Sequence, residues 1–215
     1  MVVKRCSMSR IEAVIFDIGN VLIEWRPERY FDRTIGSARR RQLFAEVDLH
    51  GMNDRMDRGE DSREVVYSTA EAYPEWRDEI RAWHDNWLEL AGPAIERSMS
   101  LLHTLRVGGV PVFALTNFSV RNFALAETEY PFLREFDRRY ISGHMKTIKP
   151  EPAIYEGVEI DCGIVPERLL FTDDRTDNVE AARCRGWRTH LFDGPGGWAR
   201  RLLDEGLLSP GEAGL

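Results

Sequence analysis

Residues 13–16, Ala13-Val14-Ile15-Phe16, are uniformly apolar and run straight into Asp17, after which Gly19-Asn20 marks a sharp turn. A strand with one solvated face alternates apolar and polar residues, so an unbroken apolar run bounded by a turn reads as a strand buried on both faces. Such strands belong to parallel sheets covered by helices. The pattern recurs along the chain: residues 110–115 end on Thr116-Asn117 and residues 169–172 on Asp173-Asp174, with a shorter strand predicted at 139–142 and a last one at 187–192. Helical spacing fills the gaps. Met99, Leu102 and Leu105 mark a helix over 95–106 that Gly108-Gly109 ends, and a helix over 119–129 stops at Pro131. Prolines 150 and 152 open another, Val179, Ala181 and Ala182 belong to the next, and Trp198, Leu202 and Leu203 to a C-terminal one. Strands alternating with helices predict an α/β fold with a doubly wound parallel sheet and right-handed crossovers.

The alternation is interrupted between residues 27 and 92. This segment holds no strand-like run and is rich in Arg, Asp and Glu with interspersed aromatics, as expected of several short amphipathic helices. We read residues 1–26 and 93–215 as a Rossmann-like core and 27–92 as a small α-helical cap inserted after the first strand. Trp76, Ile80, Trp83 and Trp87 follow helical spacing, which predicts one face packed inside the cap. His50, Arg55 and His84 are candidates to reach a ligand, each with a solvated polar face as the alternative. Residues 209–215 are expected to fray.

The 215-residue chain carries a formal net charge of -7, which argues against a nucleic-acid binder. Cys6, Cys162 and Cys184 form no C-x-x-C pair, so neither a disulfide framework nor a zinc site is predicted. The basic residues 1–10 precede no long apolar stretch, and no run is long enough to span a membrane. A cytoplasmic protein is expected. Oligomeric state is not legible.

Asp17, Thr116, Lys149 and Asp174 all fall at or just beyond a strand's carboxyl end, the edge at which open α/β sheets bind ligands. Taken alone, each has an ordinary alternative: Asp17, Thr116 and Asn117 as turn formers, Lys149 as a surface charge, Asp173 and Asp174 as acids at a helix N-terminus. Together they offer a carboxylate able to attack, a hydroxyl, a fixed cation and a second carboxylate that with Asp17 can hold Mg²⁺. That set suits phosphoryl transfer, because a divalent metal reverses the local negative field.

These residues resemble the haloacid-dehalogenase-like superfamily over nearly the whole chain. Residues 16–21 look like its first motif, 115–117 its second, Lys149-Pro150 its third, and 171–174 with Asp177-Asn178 its fourth. The first and fourth motifs are similar to those of sugar-phosphate phosphatases of the alpha-D-glucose-1-phosphate phosphatase type. The resemblance implies that Asp17 attacks phosphorus to form an aspartyl-phosphate that water hydrolyses, while Thr116 and Lys149 hold phosphoryl oxygens. It implies Asp17, Asp174 and the Gly19 carbonyl as Mg²⁺ ligands, with Asp173 and Asn178 in support. Asn117 and Gly19 are expected to border a small phosphorylated substrate.

Gly19 is a departure. Most phosphatases of the superfamily carry a second Asp there, which protonates the leaving oxygen; such help is typically worth about a hundred- to ten-thousand-fold in rate. A substrate with an acidic leaving group, a replacement such as Glu24, His50 or a water, or a protein that only binds a phosphorylated ligand would each accommodate its loss. A 2-haloacid dehalogenase is the remaining reading, and the paired acids Asp173-Asp174 weigh against it.

Overall fold

The computed structural model describes residues 10–214; Cys6, the rest of the basic segment before Arg10, and Leu215 lie outside the described residues. Strand β1 (Ala13–Phe16) is fully buried and lies at the centre of a five-stranded sheet. Short β2 (Ile23–Trp25) and β3 (Ala91–Ala94) pair antiparallel with each other, apart from that sheet. The remaining sheet strands are β4 (Val112–Thr116), β5 (Arg138–Ile141), β6 (Leu169–Asp173) and β7 (Arg188–Leu191). The order is β5-β4-β1-β6-β7 with every neighbouring pair parallel, as the sequence predicts.

The two-residue period of the strands divides the core into two layers. Val14, Phe16, Val112, Ala114 and Leu170 face one layer, where they pack with Leu102 and Leu105 of helix Glu96–Val107, Phe123 of Val120–Glu129 and Trp198 of Pro195–Asp204. Ala13, Ile15, Phe113, Leu115, Leu169 and Phe171 face the other, against Tyr155 and Val158 of Pro152–Cys162 and Ala182 of Thr176–Cys184. Helices on both faces explain why the central strands carry no polar residue before their last two positions.

Between β2 and β3 the helices build a separate apolar cluster that includes Phe31, Leu43, Leu49, Met56, Val66, Ile80 and Trp83. The spacing of Trp76, Ile80, Trp83 and Trp87 predicts a single helical face, but helix Arg77–Asp85 ends at Asn86 and Trp87 starts a new short helix. Asp85 and Asn86 are poor interior helix residues, since their side chains compete for local hydrogen bonds. Asn86 donates to the Tyr30 hydroxyl at 2.7 Å. Trp87 consequently packs with the sheet-side cluster, while Trp76, Ile80 and Trp83 stay in the helical one. Trp25 bridges the two, stacked on Trp87 at 6.1 Å and edge-on to Trp83 at 5.7 Å. The C-terminal tail is also better ordered than its composition predicts. Ser209 and Glu212 form a reciprocal capping box around Pro210–Ala213, and Ala213 is buried.

A second connection ties the helical insert to the sheet. The Ser142 hydroxyl donates to the Asp57 carbonyl at 2.7 Å, the Lys146 ammonium to the Gly59 carbonyl at 2.9 Å, and Arg58 pairs with Glu151 at 2.6 Å. Gly59 permits this approach. Its φ is +88°, and a Cβ there would lie 2.4 Å from the Gly143 carbonyl oxygen. Gly59→Ala is therefore expected to force the two segments apart and cost about 1–3 kcal/mol of stability, read from the urea midpoint. An unchanged midpoint would show that the contact is dispensable.

Candidate active site

Three strand ends and one loop converge where β1, β4 and β6 stop. Asp17 follows β1, Thr116 closes β4, Asp173 closes β6, and Lys149 is held in the loop before helix Pro152–Cys162. All four are buried. The Lys149 ammonium has three N–H donors and uses each on protein: Asp17 Oδ1 at 2.8 Å, Asp173 Oδ2 at 2.6 Å and the Leu115 carbonyl at 2.9 Å. Its backbone is fixed as firmly. The Asn117 amide donates to the Lys149 carbonyl at 2.9 Å and accepts from the Lys149 N–H at 2.8 Å. Asn117 borders the cavity, and both ends of its side chain are occupied by the Lys149 backbone.

Asp173 and Asp174 are adjacent but differently used. Asp173 is 0% exposed, and besides Lys149 it accepts from the Asn178 amide at 3.1 and 3.0 Å and the Arg175 N–H at 2.8 Å. Asp174 is half-buried and accepts from Asn20 at 3.0 Å. Asn20 sits at φ +54°, a left-handed conformation that Asn tolerates better than most residues, and its own oxygen accepts from the Trp25 N–H at 3.0 Å. The turn after β1 thereby aligns Asp174 and the start of β2 together. Sequence reading passed over Asn20 because a residue beside glycine in a turn needs no further explanation.

Asp17, Asp173 and Asp174 each offer a carboxylate oxygen, and these oxygens lie within 4.8 Å of one another. Three carboxylates around one ammonium leave an excess of two negative charges in a largely buried place. An all-oxygen donor set with that charge fits a hard divalent cation. The electrostatics agree. Burial raises Asp17 above the ordinary carboxylate value; Lys149 opposes this, and Asp173 and Asp174 add to it. Burial raises Asp174 as well. Burial pulls Lys149 down, but Asp17 and Asp173 outweigh it and the net direction is upward.

Asp17, Thr116, Lys149 and Asp174 border a cavity of about 290 Å³ that is also lined by Trp25 of β2 and by Asn53, Asp57, Trp83 and Trp87 of the insert. Of the residues proposed from sequence to reach a ligand, His50 and Glu24 border the cavity. His50 is exposed, and Glu24 pairs with Arg29 at 2.8 Å. Arg55 pairs with Glu60, and His84 lies against Asp85. Gly19 borders the cavity with nothing within 4 Å of where a Cβ would stand, so its lack of a side chain is not imposed by space.

Asp57 escaped sequence reading because its approach to the sheet depends on Ser142, 85 residues away, and on the close fit of Gly59 against the similarly distant Gly143. It is only 7% exposed, and its Oδ2 accepts from Asn53 at 2.8 Å, whose oxygen in turn accepts from Trp83 at 3.2 Å. Burial, reinforced by Asp54 and opposed by the Ser119 N–H, pushes the Asp57 carboxyl up to about 8; Asp17 adds to the rise and Lys149 opposes it.

A parallel, doubly wound sheet with a carboxylate at the end of its central strand, a buried lysine and paired acids beside it defines a class of hydrolases. The chain belongs to the haloacid dehalogenase-like hydrolase family, whose model matches residues 11–186. It is 26% identical over 216 residues to the drimenol cyclase drtB of Aspergillus calidoustus, covering 95% of this chain and 38% of the cyclase. It is 33% identical over 126 residues to a phosphatase of Mycobacterium tuberculosis, covering 56% of this chain and 55% of the phosphatase. The chain thus spans about four-tenths and just over half of the lengths of these two relatives. Among solved structures it resembles a haloacid dehalogenase-family enzyme of Bacteroides thetaiotaomicron, with 23% identity and a TM-score of 0.69, covering 85% of this chain and 93% of that one. The same enzyme has been solved with magnesium and inorganic phosphate.

The raised Asp57 value has a consequence for stability. Folding holds a proton that the unfolded chain releases above its ordinary value of 3.8, so this contribution is present below that pH and is lost as pH rises through about 8. Asp57→Asn does not titrate. Its thermal midpoint, measured relative to the natural protein by calorimetry, should rise between pH 5 and pH 8.5. A difference that stays constant with pH would show that Asp57 is already ionised at pH 5.

Proposed function

We propose that this chain is a Mg²⁺-dependent phosphatase acting on a small phosphomonoester, with residues 27–92 as a cap over a core made of 1–26 and 93–215. The observation that carries this reading is the Asp17 carboxylate on the cavity floor, 2.8 Å from Lys149, with the half-buried Asp174 carboxylate alongside. Asp17, Asp174 and the Gly19 carbonyl would hold the cation, because the oxygens of Asp173 are already engaged by Lys149, Asn178 and the Arg175 N–H. The bound cation supplies the positive charge that lets a carboxylate approach an anionic phosphoryl group.

The chain's own groups do the rest. Asp17 attacks phosphorus in line with the leaving oxygen and forms an aspartyl-phosphate, which water then hydrolyses. The Thr116 hydroxyl holds one phosphoryl oxygen, the Lys149 N–H that meets Asp17 turns to another as Asp17 attacks, and Asn117 keeps Lys149 from shifting. Asp173 with Asn178 fixes the lysine from below. The cap excludes water while Trp25, Trp83 and Trp87 offer aromatic faces to the remainder of the substrate. A sugar 1-phosphate, whose anomeric leaving oxygen is comparatively acidic, is the substrate class we propose. The magnesium and phosphate complex of the Bacteroides enzyme and the mycobacterial phosphatase support the reading by likeness. A reducing cytoplasm, with no nucleic-acid or membrane partner, is its proposed setting.

The test is a Mg²⁺-supplemented screen over sugar phosphates, nucleotides and acyl phosphates. EDTA should remove turnover and Mg²⁺ restore it; full turnover without metal would instead favour a dehalogenase-like reaction. Asp17→Asn should lower kcat about ten-thousand-fold or more while the circular dichroism spectrum is kept. Undiminished activity in that variant excludes Asp17 as nucleophile.

A further inference from the structure

Gly19 provides no proton for the leaving oxygen, and the substitutes suggested by sequence are poorly placed: Glu24 is held by Arg29, and His50 is exposed. A third group borders the same cavity. Asp57 enters from the end of helix Leu49–Asp57 and is almost completely buried, so its carboxyl is shielded from bulk water. It is also oriented. Trp83 donates to Asn53, Asn53 donates to Asp57 Oδ2, and the Ser119 N–H also meets the carboxyl, so the group is held from two elements. Its backbone is tied to the sheet by the Ser142 hydroxyl, so the carboxyl is fixed relative to Asp17 and not only relative to the cap.

We propose that Asp57 is the general acid of this hydrolase, supplied by the cap in place of the missing side chain at position 19. The inference rests on the phosphatase reading above. In the first step an Asp17 oxygen forms the bond to phosphorus as the bond between phosphorus and the leaving oxygen breaks. The electron pair goes to that oxygen, which takes the proton from Asp57 and departs as an alcohol. Asp57 is left as a carboxylate. In the second step water bonds to phosphorus, the Asp17 oxygen leaves as carboxylate, and the proton of the water returns to Asp57. No other reactant is needed.

The groups facing Asp57 agree with a proton held near neutrality. Asp54 on its own helix and Asp17 beyond β1 favour the neutral acid, while the Ser119 N–H after β4 and Lys149 favour the anion. Desolvation decides the balance.

The test compares kcat/KM for p-nitrophenyl, phenyl and butyl phosphate with Mg²⁺ present, because kcat/KM covers only the steps up to leaving-group departure. A nitrophenoxide leaves without a proton, whereas an alkoxide does not. Asp57→Asn should lose about a hundred-fold or more on butyl phosphate, less on phenyl phosphate and least on p-nitrophenyl phosphate. An equal loss on all three means that Asp57 only supports the structure, and overturns the proposal. Should the variant fail to fold, the natural protein carries the test. Its kcat/KM for butyl phosphate should decline above about pH 8 with no matching decline for p-nitrophenyl phosphate; parallel profiles overturn it. If the natural protein hydrolyses none of the three, the phosphatase reading falls and takes this inference with it, an outcome distinct from a uniform loss in the variant.

Discussion

The contact on which the site depends is the Lys149 ammonium held between Asp17 and Asp173. Burying a carboxylate or an ammonium alone is costly, and a buried pair is tolerated only when its remaining donors and acceptors are satisfied. Here they are: the third N–H of Lys149 meets the Leu115 carbonyl, and Asp173 gathers Asn178 and a backbone N–H. Each of these partners sits on a different element. The ammonium therefore joins the ends of β1, β4 and β6, and a defect in any one strand would reach the site through it. Removing one partner of such a pair leaves an uncompensated buried charge and typically costs about 3–5 kcal/mol, so these residues combine structural and chemical roles.

The same contact explains the division of labour between neighbouring acids. Asp173 is committed to Lys149, which leaves the cavity face to Asp17 and Asp174. Asp174 would otherwise be free to turn away from the site, but the Asn20 amide holds it. Asn20 also receives the Trp25 N–H, so the turn that carries Gly19 is braced on both sides. One short turn thus sets the second carboxylate, the start of the cap and one aromatic wall of the cavity.

Legibility in the sequence followed the range of the interactions. The strands of the sheet and the helices that cover it were readable because a doubly buried strand needs an unbroken apolar run, a local property. Asp17, Thr116, Lys149 and Asp174 are readable as a group because strand ends on one sheet edge must meet. What could not be read were contacts created by tertiary packing. Trp87 falls on the helical face of Trp76, Ile80 and Trp83 in the sequence, yet the break at Asn86 sends it into the other cluster. The tail was misjudged because a four-residue helix has no periodic signal, although Ser209 and Glu212 spell out its cap. The Asn117 amide bonds to the Lys149 backbone, 32 residues on, are likewise visible only in the structure.

Asp57 is the clearest case, since nothing local separates it from the other acids of a charged helical segment. Its burial follows from the absent side chain at Gly59, which lets the cap come close enough for Ser142 and Lys146 to grip the backbone on either side of Arg58. Two glycines thus have opposite meanings in this fold. Gly59 is required by space, because a Cβ there would meet the Gly143 carbonyl. Gly19 is not, because a Cβ there would meet nothing within 4 Å. A position that has room for a carboxylate and lacks one removes an acid from the floor of the cavity, and the close approach at Gly59 brings another to its wall. In the mechanism we propose, the chemistry that the first motif leaves out is tied to the seating of the helical insert, so that the acid and the shielding from water arrive through the same contact.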